Sequence, residues 1–114
     1  MKLLNLLDTA REAAPARPDR PAMVVVSDEA AARLVVFRIA PGQSVPPHRN
    51  ASLVMLTVIR GTGTIAGESE GAAITRPCGS GDLFVFQPGE LHGMSTGADE
   101  LILLAAITPR TSSL

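Results

Sequence analysis

Residues 42–61 read GQSVPPHRNASLVMLTVIRG, and the fold prediction starts from this stretch. The apolar run at residues 53–59 is rich in aliphatic and β-branched side chains and has no 3.6-residue period, which indicates a β-strand. Because nearly every position in the run is apolar, both faces of the strand are expected to be covered. One face would line a barrel interior, and the other would meet a second layer or a partner chain.

The chain after Pro21 continues in short β-rich runs separated by Gly, Pro, Ser and acidic residues. This spacing is typical of an all-β sandwich or barrel. Hairpin turns are predicted at residues 27–30, 61–63 and 67–71, so the strands should pair antiparallel, and no segment offers the crossover helices of a parallel sheet. We predict about eight strands in a closed or two-sheet barrel, at residues 22–27, 32–40, 52–60, 62–66, 72–75, 82–87, 92–96 and 100–109.

The chain length of 114 residues and an apolar content of 46% suffice for one hydrophobic core. Residues 1–20 are rich in Ala, Arg and Pro and carry four leucines near their start, so they are predicted to form an N-terminal arm. Residues 21–114 form the predicted barrel domain. The leucine-rich arm and the two-faced strand both need apolar partners, which predicts a homodimer.

The charge pattern argues against nucleic acid as a partner, because 10 basic and 11 acidic residues are scattered singly along the chain. No apolar run approaches the roughly 20 residues that span a bilayer, and the apolar start is broken at Asn5 and Asp8, too early for a secretion signal.

The lone Cys78, expected in a turn, excludes an internal disulfide. We expect a cytoplasmic protein without a membrane partner, so the glycosylation-like triplet Asn50-Ala51-Ser52 is discounted.

Two segments carry the candidate chemistry. The first places His48 and Asn50 between Gly42 and Gly61, and the second places His92 shortly after Gly89. Side chains at positions i and i+2 of a strand face the same side, so His48 and Asn50 are expected to point into one cavity. If His92 comes from a neighbouring strand, three polar groups converge there.

The pair of segments resembles the two-part signature of the cupin superfamily, over roughly residues 22–109. The first family motif spaces its residues as Gly, five residues, His, one, His, three or four, Glu, six, Gly, and this chain has Asn50 at the second His and Val54 at the Glu. The second motif is Gly, five residues, Pro, one, Gly, two, His, three, Asn, and here Gln87 and Thr96 replace the Pro and the Asn. The resemblance implies an antiparallel double-stranded β-helix, or jelly roll, with both histidines inside.

The resemblance also implies a divalent metal such as Zn, Ni, Mn or Fe. Zinc and non-haem iron normally take three protein ligands, and His48 and His92 are the two strong ones that remain. Asn50 adds only a neutral amide oxygen. Glu90 and Cys78 are further candidates to complete a metal site.

Three functions stay open for this chain. The first is a small barrel that binds a small molecule, or a weakly held divalent metal, in a pocket formed by His48, Asn50, Val54 and His92. The second, implied by the resemblance, is a metal-dependent dioxygenase, isomerase or decarboxylase acting on a small organic acid. The candidates to bind its carboxylate are Arg38, Arg49 and Arg60. The third is a regulatory dimeric module. The sequence GTGTIA at residues 61–66 matches a loose dinucleotide fingerprint, but no helix follows to cradle a phosphate.

Overall fold

A computed structural model describes residues 1–13 and 18–110 and consists mainly of antiparallel strands. A single helix in the described part, α1 (Leu6–Glu12), precedes the strands β1 (Ala22–Asp28), β2 (Arg33–Ile39), β3 (Ser44–His48), β4 (Leu53–Ser69), β5 (Ala72–Gly79), β6 (Leu83–Phe86), β7 (His92–Ser95) and β8 (Leu101–Thr108). Within these ranges, no helix is long and apolar enough to cross a membrane.

The strands form one curled sheet in the order β1-β2-β8-β4-β7-β3, with β5 and β6 also paired to β4. The first half of β4 pairs with β6 and β8, and its second half pairs with β5 and β7. The long strand thereby joins the two walls of a barrel. The predicted antiparallel double-stranded β-helix is confirmed.

The hairpin predicted at residues 61–63 is wrong, because β4 runs straight through it. Gly61 has a φ of +92°, and a Cβ atom there would lie 1.9 Å from the carbonyl oxygen of Glu100. The glycine therefore permits a close backbone approach where the strand changes partners, and the chain does not reverse. The turns predicted at residues 27–30 and 67–71 are confirmed, since they connect β1 to β2 and β4 to β5.

Two further segments differ from the sequence expectation. Strand β3 contains Pro46 and Pro47, and the sequence pattern does not predict this strand. It lies at the end of the sheet order, where a missing backbone N–H is tolerated.

Cys78 was expected in a turn but lies in β5, opposite Gly63, with its side chain buried in the core. Burial raises the pKa of the Cys78 thiol, and the nearby Asp82 carboxylate raises it further.

The core fills the barrel with aliphatic side chains from alternate strand positions, including Val54, Leu56 and Val58 of β4. A second cluster lies outside the barrel, where Ala10 of α1 is fully buried against Val36 and Ile102. Part of the apolar arm therefore packs on the barrel of its own chain.

Candidate functional site

A cavity of about 230 Å³ lies in the barrel interior, and all four side chains predicted from the sequence line it: His48, Asn50, Val54 and His92. The other lining residues are apolar, namely Met23, Phe37, Val45, Pro46, Leu56, Met94, Ala105 and Ile107. The described lining contains no Asp, Glu, Lys or Arg. The site is thus an apolar chamber with one polar end, the usual composition of a small-molecule pocket.

The two histidines face each other across neighbouring strands. His48 ends β3, His92 begins β7, and the two are direct partners in the antiparallel ladder, with ring centroids 4.3 Å apart. Gly93 follows His92, and a Cβ atom there would lie 3.0 Å from the backbone of Pro47. The glycine lets β7 approach β3 closely and so brings the two imidazoles together.

Both imidazoles are oriented by backbone carbonyls. The Nδ1 of His48 lies 3.1 Å from the carbonyl oxygen of Pro46, and the Nδ1 of His92 lies 3.2 Å from that of Glu90. Because a carbonyl oxygen only accepts, each Nδ1 donates, and the neutral ring then carries its lone pair on Nε2. A backbone carbonyl commonly orients metal-binding histidines in the same way. The pair offers two lone pairs to a cation or to a hydrogen-bond donor.

Burial holds His92 in its neutral form. The side chain is only 4% exposed and packs against the ring of Phe86. Desolvation lowers the pKa of His92 below its ordinary value, the hydrogen bond to Glu90 opposes this shift, and the neighbouring His48 lowers the pKa further. The imidazole therefore keeps its acceptor nitrogen at neutral pH.

Asn50 lines the cavity, but not for the reason that the sequence suggested. It lies beyond the end of β3, so strand alternation with His48 does not place it. Its Oδ1 accepts a hydrogen bond from the backbone N–H of Ser52 at 2.9 Å, and its backbone carbonyl accepts from Gly89 at 2.8 Å. The amide oxygen is thus already engaged within its own turn. Val54 forms apolar wall beside it.

The two other candidate ligands point elsewhere. The carboxylate of Glu90 accepts a hydrogen bond from the backbone N–H of Gln87 at 2.9 Å, and Cys78 lies in the core cluster, outside the cavity lining. Among the described residues, no group of three His, Cys, Asp or Glu side chains is placed to hold a metal ion. The two imidazoles are therefore the strong metal ligands at the cavity.

An ion pair between the segments that carry the two histidines, here called the Arg49–Glu68 clasp, was not predicted from the sequence. The Arg49 guanidinium donates to the Glu68 carboxylate at 2.6 and 3.1 Å and to the carbonyl of Gly89 at 2.8 Å. Glu68 also accepts the backbone N–H of Leu91 at 3.2 Å. The clasp ties the neighbour of His48 to the neighbour of His92. No local pattern in the sequence pairs residue 49 with residue 68, so no signal could have revealed it.

Comparison with known proteins agrees with this architecture. A family model described as a cupin domain matches residues 35–107. A search of curated proteins gives no match to the sequence.

Three solved structures illustrate the likeness. An RmlC-like cupin protein from Desulfovibrio desulfuricans is 28% identical, with a TM-score of 0.76 over 96% of this chain and 97% of its own. A conserved protein with a double-stranded β-helix domain from Klebsiella pneumoniae is 24% identical, with a TM-score of 0.76 over 88% and 86%. The DMSP lyase DddQ from Ruegeria pomeroyi is 16% identical, with a TM-score of 0.75 over 92% of this chain and 56% of that one.

Proposed function

The chain belongs to the cupin family, and we propose that it binds a small molecule inside its barrel, with His48 and His92 as the polar anchor. One observation carries this proposal. Two imidazoles, each fixed by a carbonyl at Nδ1, lie at the polar end of an otherwise apolar cavity of about 230 Å³. Convergent polar groups in an apolar chamber are what a small ligand needs for orientation and affinity.

A divalent metal is the second candidate occupant, favoured by the orientation of both imidazoles. The donor set fits a resident metal incompletely, because two nitrogens and the engaged amide oxygen of Asn50 fall short of the three strong protein ligands that zinc normally takes. We therefore propose that Zn, Ni, Mn or Fe binds weakly here, with water filling most of its coordination sphere.

An enzymatic role, as in the DMSP lyase of the same fold, ranks below binding. Fold alone does not decide function, and the described cavity lining offers no carboxylate to exchange a proton with an imidazole. A general-base reaction would then depend on His48 or His92 alone.

We also propose that the chain is a cytoplasmic homodimer, a state that would equally serve a regulatory module. The barrel wall formed by β6, β8 and the first half of β4 has an apolar outer face beyond the part that α1 covers. Leu83 and Val85 of β6 are 56% and 49% exposed, and they lie beside Thr57 and Met55. A second copy presents the same apolar face, so a two-fold pairing would bury both at once. The buried, unpaired thiol of Cys78 fits a reducing compartment.

The cavity is tested by filling it. Ala105 of β8 lines the cavity, and its neighbour Ala106 does not, so Ala105→Leu narrows the chamber while Ala106→Leu makes the same chemical change on the opposite face. A library of small molecules is screened against the metal-free protein by ligand-observed NMR. Binders of the wild type should be lost with Ala105→Leu and kept with Ala106→Leu. Ligands that bind the Ala105→Leu variant as well as the wild type would contradict the proposal.

A further inference from the structure

We propose that the preferred ligand is a neutral, largely apolar molecule of about one ring, carrying a single O–H group that donates to one of the two histidines. This inference rests on the proposed function, because it assumes that the interior cavity is the binding site. It follows from three properties of the cavity, namely its charge, its hydrogen-bonding character and its size.

The charge of the cavity disfavours anions. Among the described residues no cationic side chain lines it, and Arg38, Arg49 and Arg60, the candidates to bind a carboxylate substrate, lie outside the lining. Arg49 is paired with Glu68, and Arg38 donates to Glu100 and to the carbonyls at the end of α1. A carboxylate entering the chamber would lose its hydration without gaining a counter-charge, which is strongly unfavourable.

The hydrogen-bonding character selects a donor. Both histidines donate their Nδ1 hydrogen to a backbone carbonyl. The neutral form of each ring then presents Nε2 as an acceptor. A ligand with an O–H group satisfies an imidazole, whereas an ether or ketone of the same shape leaves both unsatisfied. A site built around a hydroxyl discriminates strongly against the analogue that lacks it.

The size of the cavity limits the apolar part. An apolar cavity of about 150 Å³ is known to hold benzene. The present cavity, at about 230 Å³, has room for one ring with a few additional atoms. Met23 and Met94 line it, and their unbranched thioether side chains adapt to the outline of a ligand.

Three probes of nearly equal shape test the inference by calorimetric titration in EDTA at neutral pH. They are 4-methylphenol, its methyl ether 4-methylanisole, and 4-methylbenzoate; the phenol stays neutral because a phenolic pKa is about 10. We expect 4-methylphenol to bind most tightly, and the ether to bind at least about tenfold more weakly, as for a buried hydrogen bond left unmade. The carboxylate should bind more weakly still.

A matched set of variants assigns the selectivity to the histidines. His92→Phe keeps an aromatic ring at the cavity and removes one of the two acceptors, so it should reduce the difference between phenol and ether; His48→Phe serves if that variant does not fold. The variant with both substitutions should erase the difference. An ether that equals the phenol, a carboxylate that exceeds it, or no binding of any probe would overturn the ligand class. If the carboxylate wins but Ala105→Leu still abolishes binding, the class is wrong and the cavity remains the site. Binding that is insensitive to Ala105→Leu would overturn both.

Discussion

His48 and His92 are direct partners across β3 and β7, and their imidazole centroids lie 4.3 Å apart. Neither ring is free to choose its tautomer, because each Nδ1 is bound to a carbonyl two residues earlier in its own segment. The fold therefore places two acceptor nitrogens together at the polar end of an apolar chamber.

The replaced ligand positions predict a gain of metal affinity. Asn50 and Val54 line the same cavity as the two histidines, so Asn50→His with Val54→Glu should assemble three imidazoles and a carboxylate. We expect zinc affinity to rise sharply, although missing outer-shell partners typically cost about 10–100-fold. The double variant should also be less stable without metal, since it buries a charge. Calorimetric titration of both folded proteins measures this, and equal affinities would show that these side chains do not converge on one ion.

The buried state of His92 predicts a dependence of stability on pH. The folded protein has a lowered pKa at this residue, so the unfolded chain binds the proton first as the pH falls through the ordinary value of 6.5. Stability contributed by the neutral ring is present above that value and is lost as the pH falls towards the folded pKa. We therefore expect the Tm measured in thermal unfolding scans to fall less between about pH 7.5 and about pH 5.5 for His92→Gln than for the wild type. Parallel losses would contradict the assignment.

The Arg49–Glu68 clasp predicts an effect on binding that exceeds its effect on stability. Arg49 is exposed, so Arg49→Met should change the Tm little. It should weaken ligand binding by about tenfold, the low end for groups that orient binding side chains. Amide exchange at Leu91, whose N–H donates to Glu68, should become faster. Arg76→Met, an exposed arginine on β5, is the matched control. Equal effects of the two substitutions would remove the clasp from the site.

The exposed face of β6 predicts the oligomeric state. Multi-angle light scattering of the wild type at micromolar concentration should give about twice the chain mass of 11.9 kDa. Val85→Lys should yield the monomer because it places a charge in the paired face. Val25→Lys, on β1 at a similar exposure, should leave the dimer intact. A wild-type mass near 11.9 kDa would refute the dimer.

The local features of the fold could be predicted from the sequence, but the contacts between distant segments could not. Short β-rich runs and the spacing around His48 and His92 are local patterns, and both led to the observed barrel and cavity. Gly61 illustrates the limit, since the same residue serves a reversal or a close approach, and only the position of Glu100 decides between them. The packing of α1 on β2 and β8 likewise depends on the finished sheet.

Charge pairs between distant segments leave no trace in a single sequence. Arg49 and Glu68 are separated by 19 positions, and neither has a periodic relation to the other. Glu90 shows the converse error, since its closeness to His92 in sequence suggested a ligand, whereas its carboxylate binds the backbone of Gln87. Side-chain direction in loops is set by hydrogen bonds that only the fold supplies.

The central claim is that the acceptor nitrogens of His48 and His92 hold the ligand. The chain has only two histidines, so a long-range proton–nitrogen NMR spectrum of the imidazoles reports on these two rings alone. We predict that both rings carry hydrogen on Nδ1, and that 4-methylphenol shifts the Nε2 signals while the Nδ1 signals stay nearly fixed. Rings protonated at Nε2, or Nε2 signals that do not move when the phenol binds, would contradict the account.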